Sequence, residues 1–278
     1  MKMNSENFIL TKEYKKFEEF CEACRRYKYI GLCYGQPGVG KTLSAMHYSK
    51  WDEIKEIKYD NIFAPIEVQN CKTVFYTAPV VGTALQIGKG IMESAFMLAD
   101  NVAAAQYTDM RQSGIKTDAL YETLRHKEIK EIFRKESLII IDESDRLKLQ
   151  SLEYIRSMYD KYNFGLVLIG MPNLEKKLSR YAQLYSRIGF VHEYKTLSQK
   201  ELVFIMERQL KKVGFEHNPD SFIDQEALSA VAQLSRGNFR LLDRLLQQIL
   251  RIMQINQTKV ITKEIVLGAR ECLVIGNQ

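Results

Sequence analysis

The residue types best suited to chemistry lie in segment 35–42, which reads Gly-Gln-Pro-Gly-Val-Gly-Lys-Thr after an apolar run at 29–34. This spacing matches a phosphate-binding loop, G-x-x-x-x-G-K-[ST], whose glycines let backbone N–H groups face a phosphate chain. A helix beginning at about Lys41 would direct its positive dipole end at the same phosphates. We expect Lys41 to reach the β- and γ-phosphates and the Thr42 hydroxyl to ligate Mg²⁺. The candidate nucleotide contacts are Gly35, Gln36, Pro37, Gly38, Val39, Gly40, Lys41, Thr42 and Leu43.

A second set of candidate residues is the pair Asp142-Glu143, which follows the aliphatic run Leu138-Ile139-Ile140-Ile141. An aspartate at a strand end can hold Mg²⁺ opposite Thr42. The adjacent Glu143 can polarise the water that attacks a γ-phosphate. The alternative is a surface turn after a buried strand. Together with segment 35–42, the pair predicts Mg²⁺-dependent hydrolysis of ATP, because a kinase has to exclude such a water.

Four isolated residues are further candidates. Asn173 follows the apolar run 165–170, where its amide is positioned to approach the γ-phosphate, or where it merely begins a helix. Arg187 precedes a predicted strand and is the candidate catalytic arginine that reaches a neighbouring subunit's nucleotide; Arg180 is a second candidate. Arg240 begins a helix after Gly237 and is a candidate nucleotide contact. For each arginine the alternative is a solvated surface role.

These residues need a parallel sheet to position them, and the apolar pattern predicts one. Short, wholly apolar runs are typical of strands buried on both faces of such a sheet. Strands alternate with helices up to about residue 195, after which only helical periodicity remains. The predicted fold is α/β, with a parallel sheet flanked by helices and then a small all-helical domain. The predicted divisions are an N-terminal helical segment at 1–28, a nucleotide-binding core at 29–195 and a helical lid at 196–278.

The composition is that of an ordinary globular chain of 278 residues, with 46% hydrophobic and 27% charged residues. No apolar stretch approaches about 20 residues and the N-terminus is polar, so neither a membrane span nor a signal peptide is predicted. The five cysteines are scattered, and Cys21 and Cys24 fall on a helical pattern, which favours a reduced cytoplasmic protein over a zinc site. The net charge of +6 permits nucleic-acid binding without establishing it.

The order of these motifs resembles that of AAA+ ATPases: Walker A at 35–42, Walker B at 138–143, then Asn173, Arg187 and the Gly-x-x-Arg of 237–240. Segment 139–147 resembles the Walker B segment of the transposition ATPases, the phage Mu B, TnsC and TniB group. Segment 166–174, with Arg187-Ile188 downstream, resembles the same group and the ExeA-type ATPases. One departure is Gly170-Met171, where many AAA+ proteins carry threonine or asparagine, and it puts the sensor role of Asn173 in question.

The resemblance implies a DNA-binding, ATP-dependent homo-oligomer, either a ring or a helical filament, with ATP between subunits. It also implies that the assembly marks a target site on duplex DNA and recruits or activates a transposase, with a target-selecting adaptor protein as a further possible partner. In such assemblies the region between the second strand and Walker B faces a central channel. The candidate DNA contacts there are Lys89, Arg111 and Lys116, which would neutralise phosphates without reading bases.

Two rival functions stay open. One is an AAA+ switch of the ExeA or helicase-loader type, which acts on a protein partner and which the residues do not separate from the transposition reading. The other is a P-loop kinase or nucleotide-binding signalling module, against which Asp142-Glu143, Arg187 and the helical tail argue. The basic residues between the second strand and Walker B also have a structural alternative, in which they lie on a solvated helix face. Acidic residues such as Glu122, Glu128 and Glu131 are interleaved with them and favour that alternative.

Overall fold

The computed structural model describes residues 8–57, 63–115, 118–131, 137–212, 222–258 and 260–273. The chain divides into two compact units. The first consists of Met1–Gly35 and Lys41–Tyr194, and the second of Gln36–Gly40 and Lys195–Gln278. Among the described residues, no helix is long and apolar enough to cross a membrane.

The first unit contains a parallel sheet of five strands in the order β2-β3-β4-β1-β5. Every residue of β3 and β4 is buried, which explains why both segments are wholly apolar until the last residues. The predicted fold class, a parallel sheet flanked by helices and followed by a helical region, is confirmed. The strands are β1 Ile30–Tyr34, β2 Thr73–Thr77, β3 Leu138–Asp142, β4 Gly165–Gly170 and β5 Ile188–Glu193.

Eight α-helices accompany the sheet in the described part of this unit. The first begins where Thr11 caps it, its hydroxyl accepting a hydrogen bond from the Tyr14 N–H at 3.0 Å, and it buries Phe17 and Phe20 on the side of the sheet. The helices are α1 Lys12–Tyr27, α2 Lys41–Tyr48, α3 Trp51–Glu56, α4 Ala84–Gln112, α5 Asp118–Glu131, α6 Leu149–Tyr162, α7 Leu174–Leu178 and α8 Ala182–Tyr185.

Two of the helical predictions differ from the structure. The mixed, charged sequence of 52–69 predicts a connection, but α3 extends over Trp51–Glu56 and buries Trp51 and Ile54. Lys50, at a φ of 51°, bends the chain between α2 and α3. The apolar spacing over 174–183 predicts a single helix, but the structure has two short helices there, α7 and α8. Between them, Tyr181 has a non-helical backbone conformation, with φ −117° and ψ 78°.

The second unit contains four helices and no strand among its described residues: α9 Gln199–Lys212, α10 Phe222–Ser235, α11 Phe239–Ile255 and α12 Lys263–Glu271. Its core is built around α11, whose Leu242, Leu245 and Ile249 repeat every three or four positions and are buried. Val231 of α10 and Val266 of α12 are also buried. The helical periodicity of the sequence therefore arises from a helix-on-helix core.

Candidate active site

The carboxyl end of β4 lies between the carboxyl ends of β3 and β1, because β4 pairs with both strands. Tyr34, the last residue of β1, is paired with Gly170, the last residue of β4. Asp142 ends β3, on the other side of β4. This edge is where parallel sheets collect ligands, and it brings together the two segments that the sequence marked as Walker A and Walker B.

Lys41 is the first residue of α2, and only 8% of it is exposed. Its Nζ donates a hydrogen bond to the Gly35 carbonyl at 2.6 Å, so the side chain folds back along the loop that precedes it. Burial lowers the pKa of the Lys41 ammonium, and the negative charges of Asp142, Glu143 and Asp145 oppose this shift. The ammonium is thus held at the sheet edge among carboxylates, where a phosphate chain would supply further counter-charge.

Thr42 and Asp142 are 100 positions apart in sequence and are in direct contact: the Thr42 Oγ1 donates to the Asp142 Oδ2 at 2.7 Å. The other carboxylate oxygen of Asp142 accepts the Glu143 N–H at 2.9 Å. Burial raises the pKa of Asp142, while the hydrogen bonds from Thr42 and Glu143 and the charge of Lys41 hold it down. The predicted pair of Mg²⁺ ligands is therefore brought together by the fold.

These donors fit Mg²⁺ and not a metal held wholly by protein. The described residues contain no cluster of three or more His, Cys, Asp or Glu side chains able to hold a metal ion. One hydroxyl and one carboxylate leave most of an octahedral shell to phosphate oxygens and waters, which is the usual way in which nucleotide sites bind Mg²⁺.

Glu143 has a backbone conformation that is rare for a residue with a side chain, with φ 55° and ψ 36°. Left-handed residues other than glycine cost on the order of 1 kcal/mol or more and often occur at functional sites. Its carboxylate lies 3.4 Å from the Arg146 guanidinium, which also donates to the Ala78 carbonyl after β2 at 3.1 Å. The predicted catalytic carboxylate is therefore at the sheet edge and paired with an arginine that the sequence analysis did not single out.

The middle of the phosphate-binding loop packs within the second unit. Gly38 and Gly40 have φ angles of 82° and 111°, which favour glycine. Asn238 donates from its amide Nδ2 to the Pro37 carbonyl at 2.8 Å, and the Arg240 N–H donates to the Gly38 carbonyl at 3.0 Å. A Cβ on Gly38 would meet the Asn238 Oδ1 at 2.6 Å, so this contact requires glycine.

Asn238 has two simultaneous functions, since its Oδ1 also accepts the Leu241 N–H at 3.1 Å and thereby caps α11. The sequence signal for it was present, an asparagine directly before a strongly amphipathic helix, but its contact with Pro37 lies 201 positions away. The Arg240 side chain, the predicted nucleotide contact, is exposed.

Arg187 directly precedes β5 and forms a two-pronged ion pair within its own chain. Its Nε and Nη2 lie 2.8 and 3.0 Å from the two carboxylate oxygens of Asp160, and its Nη1 donates to the Gln183 carbonyl. Asp160 also accepts from Arg156 at 2.7 Å. The predicted catalytic role of Arg187 in a neighbouring subunit stays a prediction. Asn173 is exposed and makes no side-chain cap for α7, so its predicted sensor role also remains a prediction.

The candidate DNA contacts do not form one compact patch. Lys89 is near the start of α4, with a side chain that is 76% exposed and 3.8 Å from Glu93. Arg111 is near the end of the same helix, exposed, with its guanidinium 5.2 Å from the centre of the Phe63 ring. At roughly 1.5 Å per residue, the two positions are about 33 Å apart along α4. Lys116 lies outside the described residues.

The fold and this sheet edge define a P-loop ATPase of the AAA+ class. The AAA domain family model matches residues 24–178, and the chain belongs to that family. It is an ATPase by family and by the arrangement of its loop and carboxylates.

Individual relatives extend this assignment. The chain is 41% identical to a "Potential ATP-binding protein" of Staphylococcus aureus, over 98% of each chain. It is 26% identical to the "ATP-dependent target DNA activator B" of Escherichia phage Mu, over 58% of this chain and 42% of that one. A RuvB subunit from Borreliella burgdorferi is 32% identical over 40% of this chain and 30% of its own length.

Solved structures show the same fold. The RuvB Holliday junction branch migration motor of Thermotoga maritima superposes with a TM-score of 0.57 at 19% identity, over 98% of this chain and 72% of that one. The Aeropyrum pernix ORC1 protein, solved in complex with DNA, superposes with a TM-score of 0.55 at 16% identity, over 95% of this chain and 65% of that one.

Proposed function

We propose that this ATPase is a nucleotide-controlled DNA-binding switch: with Mg²⁺ and ATP it assembles on duplex DNA, selects a target site and recruits or activates a transposase. The observation that supports the nucleotide part is the 2.7 Å contact between Thr42 and Asp142, since it unites the two motifs that hold Mg²⁺ and phosphate. The DNA part is supported by similarity to the phage Mu activator over 58% of the chain.

In this proposal each group at the sheet edge has a separate task. Lys41 neutralises charge on the β- and γ-phosphates, and the backbone of 35–40 cradles them. Thr42 and Asp142 hold Mg²⁺, which supplies charge stabilisation for the leaving group when bound. The ion pair between Glu143 and Arg146 breaks, and the Glu143 carboxylate accepts a proton from the attacking water.

The proposed assembly places the site between subunits, with Arg187 reaching the nucleotide of a neighbour. Arg187 is held by both oxygens of Asp160, in the same fork geometry with which a guanidinium binds phosphate oxygens. Exchange of that carboxylate for a γ-phosphate would therefore preserve its hydrogen bonds. Arg240, at the start of α11, is the proposed contact from the same chain.

Duplex binding is proposed to be electrostatic and tolerant of sequence. Lys89 and Arg111 are exposed, and the chain carries a net charge of +6. Since the two residues are about 33 Å apart along α4, they would contact separate phosphates and not one base pair. A channel formed by several copies would bring such residues from different subunits along one duplex.

The experiment measures the fluorescence anisotropy of a labelled duplex with wild-type protein in Mg²⁺·ATP, in Mg²⁺·ADP and without nucleotide. We expect ATP to strengthen duplex binding by about tenfold or more, within the usual range of coupling between two sites. The variant Glu143→Gln should keep this effect and Lys41→Ala should lose it. Equal duplex affinity under the three nucleotide conditions would contradict the DNA part of the proposal.

The alternative function is an AAA+ switch of the ExeA or helicase-loader type that acts on a protein partner. The observation that favours it is an exposed apolar segment after β2, where Val80, Val81 and Leu85 are 76%, 82% and 71% exposed. This alternative shares the nucleotide site but requires no duplex affinity, so the same anisotropy experiment separates the two functions.

A further inference from the structure

Asp145 has a buried carboxylate oxygen that the nucleotide-site roles described above do not use. Its Oδ1 is shielded from solvent and has no hydrogen-bond partner among the described residues. A buried acceptor without a donor costs about 1–3 kcal/mol, and such groups are few in native proteins. A carboxylate kept in this state points to a donor that arrives with the substrate.

The position of this oxygen is set by Gly170, the last residue of β4. A Cβ on Gly170 would lie 2.8 Å from the Asp145 Oδ1, nearer than real Cβ contacts, so the carboxylate occupies the space that a side chain at the end of β4 would take. β4 lies between the Walker A and Walker B strands, β1 and β3. The oxygen therefore lies beside the carboxyl end of β4, the strand between the two motif strands, where Gly170 supplies no polar group of its own.

The segment that carries Asp145 is fixed by hydrogen bonds. Lys177 donates to the Asp145 carbonyl at 2.7 Å and to the Leu147 carbonyl at 2.6 Å. The preceding Ser144 is fully buried and donates to the Ile141 carbonyl at 2.8 Å. The Asp145 charge also acts electrostatically on both Lys41 and Asp142. The acceptor is thus held in place on the anchored turn that follows β3, and preorganisation of this kind is what electrostatic catalysis requires.

We propose that Asp145 is a further catalytic residue, whose Oδ1 accepts a hydrogen bond from the water that attacks the γ-phosphate. This inference rests on the nucleotide placement proposed above. The water has two protons: one O–H donates to Asp145, and the other proton passes to Glu143. The water oxygen forms the new bond to the γ-phosphorus while the bond to the oxygen bridging from the β-phosphate breaks, which yields ADP and inorganic phosphate.

Two carboxylates are required in this arrangement because one acceptor fixes the water along only a single direction. Glu143 and Asp145 flank the buried Ser144, so both emerge from one anchored turn after β3. With both O–H directions fixed, a lone pair of the water oxygen faces the phosphorus.

The experiment compares Asp145→Ala, Asp145→Asn and Gly170→Ala with wild type and with the control Asp52→Ala, which removes an exposed carboxylate on α3. Three quantities are measured: kcat and KM for Mg²⁺·ATP, the Kd of a non-hydrolysable ATP analogue, and the midpoint of thermal unfolding without nucleotide.

For Asp145→Ala we expect kcat to fall about 100-fold, at the lower end of the range for groups that handle the proton of a nucleophile. The Kd of the analogue should stay within about twofold, because the water is not part of the ground-state contacts. Asp145→Asn should retain more activity, since its amide oxygen still accepts a hydrogen bond. Gly170→Ala should lower kcat as well, because its methyl group displaces the Asp145 carboxylate. In the Asp145→Ala background, Gly170→Ala should cause little further loss of kcat.

The unfolding midpoint distinguishes this role from a structural one. Removal of an unsatisfied buried carboxylate should leave the midpoint unchanged or raise it, whereas loss of a structural contact would lower it. An unchanged kcat in Asp145→Ala would overturn the inference, as would a lowered midpoint with a proportionally weaker Kd. The analogue should bind Lys41→Ala more weakly than wild type. Equal affinity for the two proteins would show that the proposed nucleotide placement is wrong, which distinguishes this failure from a failure of the Asp145 role.

Discussion

The carboxyl edge of the sheet and the long helix α4 both carry polar residues that the sequence marked for function, and they differ in how those residues are held. At the sheet edge, Lys41 and Asp142 are buried, and Lys41 donates a hydrogen bond to the Gly35 carbonyl. Thr42 donates a hydrogen bond to Asp142, which lies 100 positions away in sequence. On α4, Lys89 and Arg111 are exposed and lie at opposite ends of the helix.

The two regions therefore respond differently to substitution. A site whose groups converge within one chain is complete enough to bind a ligand by itself. Cations separated by about 33 Å can act together only through a long ligand or through several copies of the chain. Single substitutions should therefore have large effects at the sheet edge and small, additive effects on α4.

The largest effect is expected for Lys41→Ala. Loss of the buried ammonium removes the charge that we propose meets the β- and γ-phosphates, and we expect turnover to fall by roughly 10³-fold, as when an oxyanion donor is removed. Steady-state release of phosphate measures it, with the exposed Lys55→Ala on α3 as the control that should match wild type. Turnover within threefold of wild type in Lys41→Ala would remove the distinction between the two regions.

Glu143→Gln should be nearly as severe for turnover but not for binding. Replacement of the proposed proton acceptor should lower kcat by about 100-fold or more, while the Kd of ATP stays within a few-fold because Thr42 and Asp142 are untouched. Single-turnover kinetics with a separate titration of ATP measure both quantities. Loss of ATP binding together with turnover would show that Glu143 has a structural role at this edge.

Asn238→Ala should have an intermediate effect, on stability. The substitution removes the cap of α11 and the hydrogen bond to Pro37, and we expect the free energy of unfolding to fall by about 1–2 kcal/mol. Urea denaturation measures it, and Asn238→Ser, which restores a capping hydroxyl, should recover part of the loss. A change below about 0.3 kcal/mol in Asn238→Ala would contradict the assignment of both contacts.

The smallest effect is expected for Lys89→Ala, in duplex binding. If Lys89 contacts one phosphate, its loss should weaken binding only a few-fold and make the slope of log K against log salt shallower by about 0.9. Anisotropy titrations at several salt concentrations give the slope, and Arg111→Ala should add a similar amount. A hundredfold loss of duplex affinity from either single substitution would contradict this expectation, because it would require several groups on α4 to bind the duplex together.

The same contrast explains how far the sequence predicted the structure. β3 and β4 were predictable because strands buried on both faces have to be apolar throughout, and Phe239–Ile255 was predictable because one face of α11 is packed. The proximity of segment 35–42 to Asp142 was predictable because phosphate and Mg²⁺ chemistry fixes both the residue types and the spacing of the two motifs.

What could not be predicted depends on contacts between distant segments. The Arg187–Asp160 pair, the amide of Asn238 on Pro37 and the Asp145 carboxylate beside Gly170 have no local pattern, because tertiary packing alone brings their partners together. Similarly, the short α3 was missed because its burial rests on Trp51 and Ile54 alone and is too brief for a periodic signal.

We propose that nucleotide bound at the sheet edge controls duplex binding by the exposed cations of α4. This coupling is measured as the Kd of ATP for the Glu143→Gln variant, with and without saturating duplex. Coupling between two binding sites is reciprocal, so the duplex must strengthen ATP binding by the same factor by which ATP strengthens duplex binding, which we expect to be about tenfold or more. An ATP affinity that is identical with and without duplex would contradict the account.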